Sequence, residues 1–131
     1  MRAERFLAAL VAGLLSIAAP SLRAAPDPAA ADAAFDAGDS ARALVLYDEI
    51  LAADPNDANA LLRSGKLLSW DRKYDEALAR YERALTRDPK NSEVELERAK
   101  VLLWSRRYDE AIRGFERVDR KSTRLNSSHR L

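Results

Sequence analysis

"SWDRKYDEALARYERAL" occupies residues 69–85 and "LWSRRYDEAIRGFERVD" residues 103–119, one phrase written twice in a chain of 131 residues. The copies agree at Trp70 and Trp104, Arg72 and Arg106, Tyr74 and Tyr108, Asp75 and Asp109, Glu76 and Glu110, Ala77 and Ala111, and Glu82 and Glu116, always 34 positions apart. A fixed period of this length marks stacked supersecondary units, each too small to bury its own apolar side. The period therefore outranks any local helix assignment.

Each unit holds two helical windows. Leu61, Gly65 and Leu68 fall at steps of four and three, and Ala77, Tyr81, Ala84 and Leu85 mark the inner stripe of a second helix. Small residues stand where two helices approach, with large ones filling beside them. Asp54-Pro55 and Asp88-Pro89 also lie one period apart, and proline ends a helix because it lacks a donor and crowds the preceding turn. Ser92 with Glu95 reads as a capping box, and Asp75-Glu76 and Asp109-Glu110 place negative charge in first turns, where the helix dipole favours it. Helices are expected near 28–37, 40–53, 58–70, 74–87, 92–104 and 108–118.

The two ends differ from this pattern. Residues 1–24 read as an export signal: Arg2 and Arg5 precede an apolar run from Phe6 to Ala19, and Pro20 breaks it before "SLRA". Cleavage is expected after Ala24, with Ala18 as the alternative. The run falls short of the roughly 20 residues that span a bilayer. Beyond Val118, "DRKSTRLNSSH" has no hydrophobic period and resembles the in-frame translation of a short-read sequencing adapter. Residues 119–131 are therefore expected to be a non-native, disordered tail, the natural chain running on past Val118.

Removing both ends reverses the electrostatic balance. The whole chain carries 22 basic and 21 acidic side chains; residues 1–24 hold three and one of them, and 119–131 four and one. That leaves 15 basic and 19 acidic, with no basic stripe for nucleic acid. There is no cysteine and one histidine, His129, so thiolate zinc sites and histidine metal clusters are excluded. Glu93 and Glu97 have the spacing of an acid/base pair, but no nucleophile or glycine-rich phosphate loop accompanies them. No catalytic, cofactor or metal site is expected, and "RYER" (80–83) and "ELER" (95–98) read as solvated surface.

Gly65, Tyr74, Ala77, Tyr81, Ala84 and Pro89 in one unit, and Ala99, Tyr108, Ala111, Phe115 and Val118 in the next, resemble the tetratricopeptide repeat. A weaker earlier unit holds Gly38, Ala43, Tyr47 and Pro55 in register, with Ser40 in place of tyrosine and Ile50 in place of alanine; in the last unit Thr123 replaces the closing proline. The resemblance implies an all-α fold, an α-solenoid of stacked antiparallel helix pairs in a right-handed superhelix, with units near 25–57, 58–91 and 92–118.

It further implies a scaffold that binds a protein or peptide along the concave face of the first helices. By position that face presents Asn59, Leu62, Lys66, Ser69 and Trp70, then Glu93, Leu96, Lys100, Leu103 and Trp104. The tryptophans either pack on the adjacent hairpin or stack on a ligand. Leu62 and Leu96 break the residue set that grips chaperone tail carboxylates, so that ligand is not expected. With the export signal and the Ala-, Arg- and Asp-rich composition, the expected location is the periplasm of a Gram-negative bacterium. The alternative is the periplasmic front of an outer-membrane β-barrel in polysaccharide export. An uncapped last hairpin, with Ala111 and Phe115 on its inner face, is expected to self-associate or partly unfold.

Overall fold

Asp27, Asp39, Asp57 and Asn91 each accept a first-turn backbone N–H, from Ala29, Arg42, Ala60 and Val94 at 2.8–3.2 Å, satisfying amides that a helix leaves orphaned. Four of six helices start this way. The computed structural model describes residues 24–128, and the helices are α1 (Pro28–Asp36), α2 (Ser40–Ala53), α3 (Ala58–Trp70), α4 (Tyr74–Arg87), α5 (Ser92–Trp104) and α6 (Tyr108–Ser128), with no strand among the described residues. α4 and α6 instead open on Asp75-Glu76 and Asp109-Glu110, the charges the period repeats. The export signal expected over 1–24 lies almost wholly outside the described residues.

Within each hairpin the turn has one shape. Gly38, Arg72 and Arg106 sit one period apart, all in the left-handed region with φ of 77°, 61° and 65°. Each donates its N–H to a carbonyl three residues back, and the following residue reaches five back: Asp39 to Ala34, Lys73 to Leu68, Arg107 to Leu102, at 2.8–2.9 Å. Left-handed backbone costs a side-chain-bearing residue roughly 1–2 kcal/mol. Glycine avoids this but adds about 0.4–1 kcal/mol of unfolded-state freedom. Arg72→Gly and Arg106→Gly should therefore each raise stability by about 0.5–1 kcal/mol, read as a rise of a few degrees in Tm.

Packing follows the small residues. Ala43, Ala77 and Ala111 are buried at the same position of α2, α4 and α6, and Ala31 and Ala99 are buried opposite, where α3 has Gly65. A Cβ on Gly65 would stand 2.5 Å from the Tyr81 ring, so α3 accepts that ring only because it has none. In the third hairpin the small partner is on the other helix: a Cβ on Gly114 would meet the Ala99 methyl at 2.9 Å. Tyr47, Tyr81, Leu61, Leu68, Val101 and Leu102 fill the space between, each contributing about 1.5–3 kcal/mol by leaving water. Helices pack on their chain neighbours, and α3 also touches α5, the arrangement of a solenoid.

Several expectations are corrected. α6 runs ten residues past Val118, so 119–128 is helical rather than disordered. No glycine or proline follows Gly114 to end the helix, and Lys121 Nζ reaches back to the Pro89 carbonyl at 3.3 Å. The α5 cap is Asn91 rather than Ser92, and Glu95 turns inward to Arg117. "RYER" and "ELER" are not merely solvated, since Arg80 reaches Asp48 at 2.7 Å and Arg98 reaches Glu82 at 3.4 Å across helices. Ala111 and Phe115 are packed in the third hairpin, and the exposed large apolar residues of α6 are Tyr108, Ile112 and Leu125.

Candidate functional site

The first helices α1, α3 and α5 form one layer, and polar side chains tie it across the unit boundaries. Asn59 Nδ2 donates to Asp32 Oδ1 at 3.0 Å, Arg63 Nη1 to Asp36 Oδ1 at 3.2 Å and Lys66 Nζ to Glu93 Oε1 at 3.0 Å, every pair 27 residues apart. Twenty-seven is the period less seven, so a residue and its partner one unit on are displaced by two helical turns. Lys100 occupies the place of Lys66 in the third unit, and bonds Glu97 of its own helix at 2.9 Å.

Thus the structure brings Asn59, Leu62, Lys66, Glu93, Leu96 and Lys100 to one layer but engages the four polar ones within the array. Leu62 and Leu96 are half-buried beside them. The two tryptophans, alike in sequence, have different surroundings. Trp70 is 59% exposed, yet its ring lies 5.5 Å from Phe35 at a tilt of 35°, with the Arg63 guanidinium 4.8 Å over that same phenyl ring. Phe35 becomes Ser69 one period on, and Trp104, 46% exposed, meets no other ring among the described residues.

Sequence patterning missed the group beneath Phe35. Tyr47 donates its hydroxyl to Asp32 Oδ1 at 2.6 Å, Asn59 shares that oxygen, and Arg63 Nε stands 3.7 Å away. Burial works against the Asp32 charge, but the hydrogen bonds from Tyr47 and Asn59 and the Arg63 charge outweigh it and hold the carboxyl below its ordinary range. Burial first, and then Asp32, push the Tyr47 hydroxyl well above the usual phenol range. A depressed carboxyl stabilises the fold above its unfolded pKa and loses that contribution as pH falls through the folded value. Acidification below about pH 4 should therefore open the first unit ahead of the second. Amide exchange around Ala43 and Tyr47 at pH 3 against pH 5 reads this, and Asp32→Asn should remove the difference.

Among the described residues no group of three or more His, Cys, Asp or Glu side chains is placed to hold a metal ion. No described helix is long and apolar enough to cross a membrane.

Profiles of the tetratricopeptide repeat match residues 29–68 and 71–123. No curated protein matches the chain. Among solved structures, the TPR2B domain of yeast Sti1 in its pHsp70 complex superposes with a TM-score of 0.68 at 20% identity, covering 77% of this chain and 81% of that one. The Arabidopsis OM64 TPR domain gives 0.65 at 20%, covering 69% and 74%. A MamA mutant gives 0.65 at 22%, and there the match covers 69% of this chain and 52% of the MamA chain. With six helices paired among the described residues, a 34-residue period in the sequence and tetratricopeptide profiles matching both segments, the chain belongs to the tetratricopeptide repeat family, whose arrays are protein-interaction scaffolds.

Proposed function

We propose that the chain is an exported scaffold that works in the periplasm, holding an extended polypeptide along the layer of α1, α3 and α5. The observation that carries this is the run of cross-unit pairs Asp32–Asn59, Asp36–Arg63 and Lys66–Glu93. Such ties fix the three helices in one register before any ligand arrives, so little ordering is left for binding to oppose. Leu62 and Leu96 then offer apolar contacts at a constant spacing, and a tetratricopeptide domain of yeast Sti1 carries a pHsp70 ligand on the same fold.

A photo-crosslinking residue at Leu62 or Leu96 should trap a polypeptide partner, and one at Glu76 on the opposite layer should not. Equal trapping at all three positions would overturn the assignment of the face. Fusion of residues 1–24 to alkaline phosphatase lacking its own signal tests export, with activity expected and an inactive fusion contrary to it.

The outer face of α6 adds a second contact. Ile112 is 55% exposed where its counterpart Leu78, covered by α5, is 4% exposed, and Tyr108 is 54% exposed. Self-association through this face should appear in light scattering as mass rising with concentration, and Ile112→Glu should abolish it.

A further inference from the structure

The turns between paired helices carry more charge than their geometry requires. Arg72 and Arg106 hold a left-handed backbone that the first unit gives to Gly38, and strain kept at two successive turns marks a side chain retained for what it contacts. Neither guanidinium has a hydrogen bond or ion pair among the described residues. Both line one cleft of about 450 Å³ between the second and third turns, with Tyr74, Asp75, Trp104, Ser105 and Arg107.

The other members limit what can enter. Arg107 is held by Glu110 through two 2.9 Å hydrogen bonds, leaving Arg72 and Arg106 as the available cations against the single carboxylate of Asp75. Trp104 supplies a wall that no neighbouring ring covers. Paired guanidiniums favour planar anions, which they bind through parallel N–H···O bonds. Asp71, Glu76, Asp109 and Glu110 flank the lining residues in the sequence, and residues 25–118 carry four more acidic than basic side chains. An extended polyanion or an anionic bilayer would meet those carboxylates, whereas a short segment reaches the arginines between them.

The geometry points to a site for a short acidic peptide segment: its carboxylates lie on Arg72 and Arg106, and the apolar side chain between them stacks on Trp104. This rests on the scaffold function proposed above and adds a second place and chemistry for the partner, at the turn edge instead of the inner layer.

The test uses the full chain and a fluorescein-labelled blocked peptide, Gly-Glu-Phe-Glu-Gly, followed by anisotropy, with Gly-Gln-Phe-Gln-Gly as control. Binding of the Glu peptide should exceed that of the Gln peptide by at least about tenfold. The Arg72→Gly/Arg106→Gly double variant should lose that margin while melting no lower than the parent, so unfolding cannot explain the loss. In a Trp70→Phe background the remaining tryptophan emission, from Trp104, should shift on adding the Glu peptide. Equal binding of the two peptides, or full affinity in the double variant, would overturn the site. So would preferential binding of phosphatidylglycerol vesicles or of a polyuronate. Loss of the Glu peptide in Lys66→Ala/Lys100→Ala with the arginines intact places the acid on the inner layer, which sinks this site and leaves the scaffold standing. Absence of any crosslinked polypeptide at Leu62 and Leu96 would instead tell against the scaffold.

Discussion

Gly65→Val is expected to destabilise the array by about 3 kcal/mol, which for a folded region of this size lowers Tm by more than 10 °C. Glycine in a helix interior is ordinarily the weak choice, and replacing it gains up to about 1 kcal/mol of helix propensity. Here the sign reverses. The first added carbon would lie 2.5 Å from Cε1 and 2.9 Å from Cζ of Tyr81, a ring with no exposed surface and no room to retreat. Valine adds two further methyl groups to that contact, so the steric term exceeds the propensity gain severalfold. Gly65→Ala should fall between, at about 1–2 kcal/mol. Tyr81→Leu, itself destabilising, should recover part of the loss in the double variant, giving a coupling that distant sites do not show. Parent-like melting of Gly65→Val would mean that α3 and α4 do not meet at this point.

That contact was legible in the sequence because it belongs to the period. Gly65 and Tyr81 lie among the positions the repeat fixes, the prolines at 55 and 89 follow the ends of α2 and α4, and the period places the ends of the first five helices to within one residue. What the period does not carry was not legible. Thr123 where a proline would close the unit permits α6 to continue, and only the structure shows that it does, with Lys121 reaching back to the Pro89 carbonyl ahead of α5. Likewise Asn59, Lys66 and Glu93 fall on the expected layer, but their engagement with partners 27 residues away depends on how adjacent units are displaced. The ties share one spacing: an acid at a position and a base or amide 27 further on, or the reverse, links consecutive first helices. Arg72 and Arg106 were visible as part of the repeated phrase, while their left-handed backbone was not, since the matching residue of the first unit, Gly38, stands in a segment of weaker likeness.

Arg117→Ala should cost about 2 kcal/mol, and the same change should cost under about 0.5 kcal/mol once Glu95 has become leucine. Glu95 is only 7% exposed, and occupies the position where the second unit buries Leu61 completely. Its carboxylate is tolerated because Arg117 reaches across from α6 with Nη2 at 2.6 Å and Nε at 3.0 Å, while Gly114 leaves space for it alongside Ala99. Removing the arginine strands a buried acid, a penalty of about 3–5 kcal/mol in a closed interior. The Arg117 side chain is 42% exposed, so water reaches the stranded group and the smaller figure applies. Glu95→Leu by itself should be neutral or stabilising, since it restores the side chain of the second unit and removes a desolvated charge. Urea denaturation of the four proteins in the cycle gives the coupling directly, provided the m-values agree. An equal loss on Arg117→Ala in both backgrounds would show that the arginine acts through the packing of its alkyl stem against α5. A loss confined to the Glu95 background assigns it to the charge, and makes this ion pair the polar fastening of the third hairpin, in the place where the second relies on an aliphatic side chain.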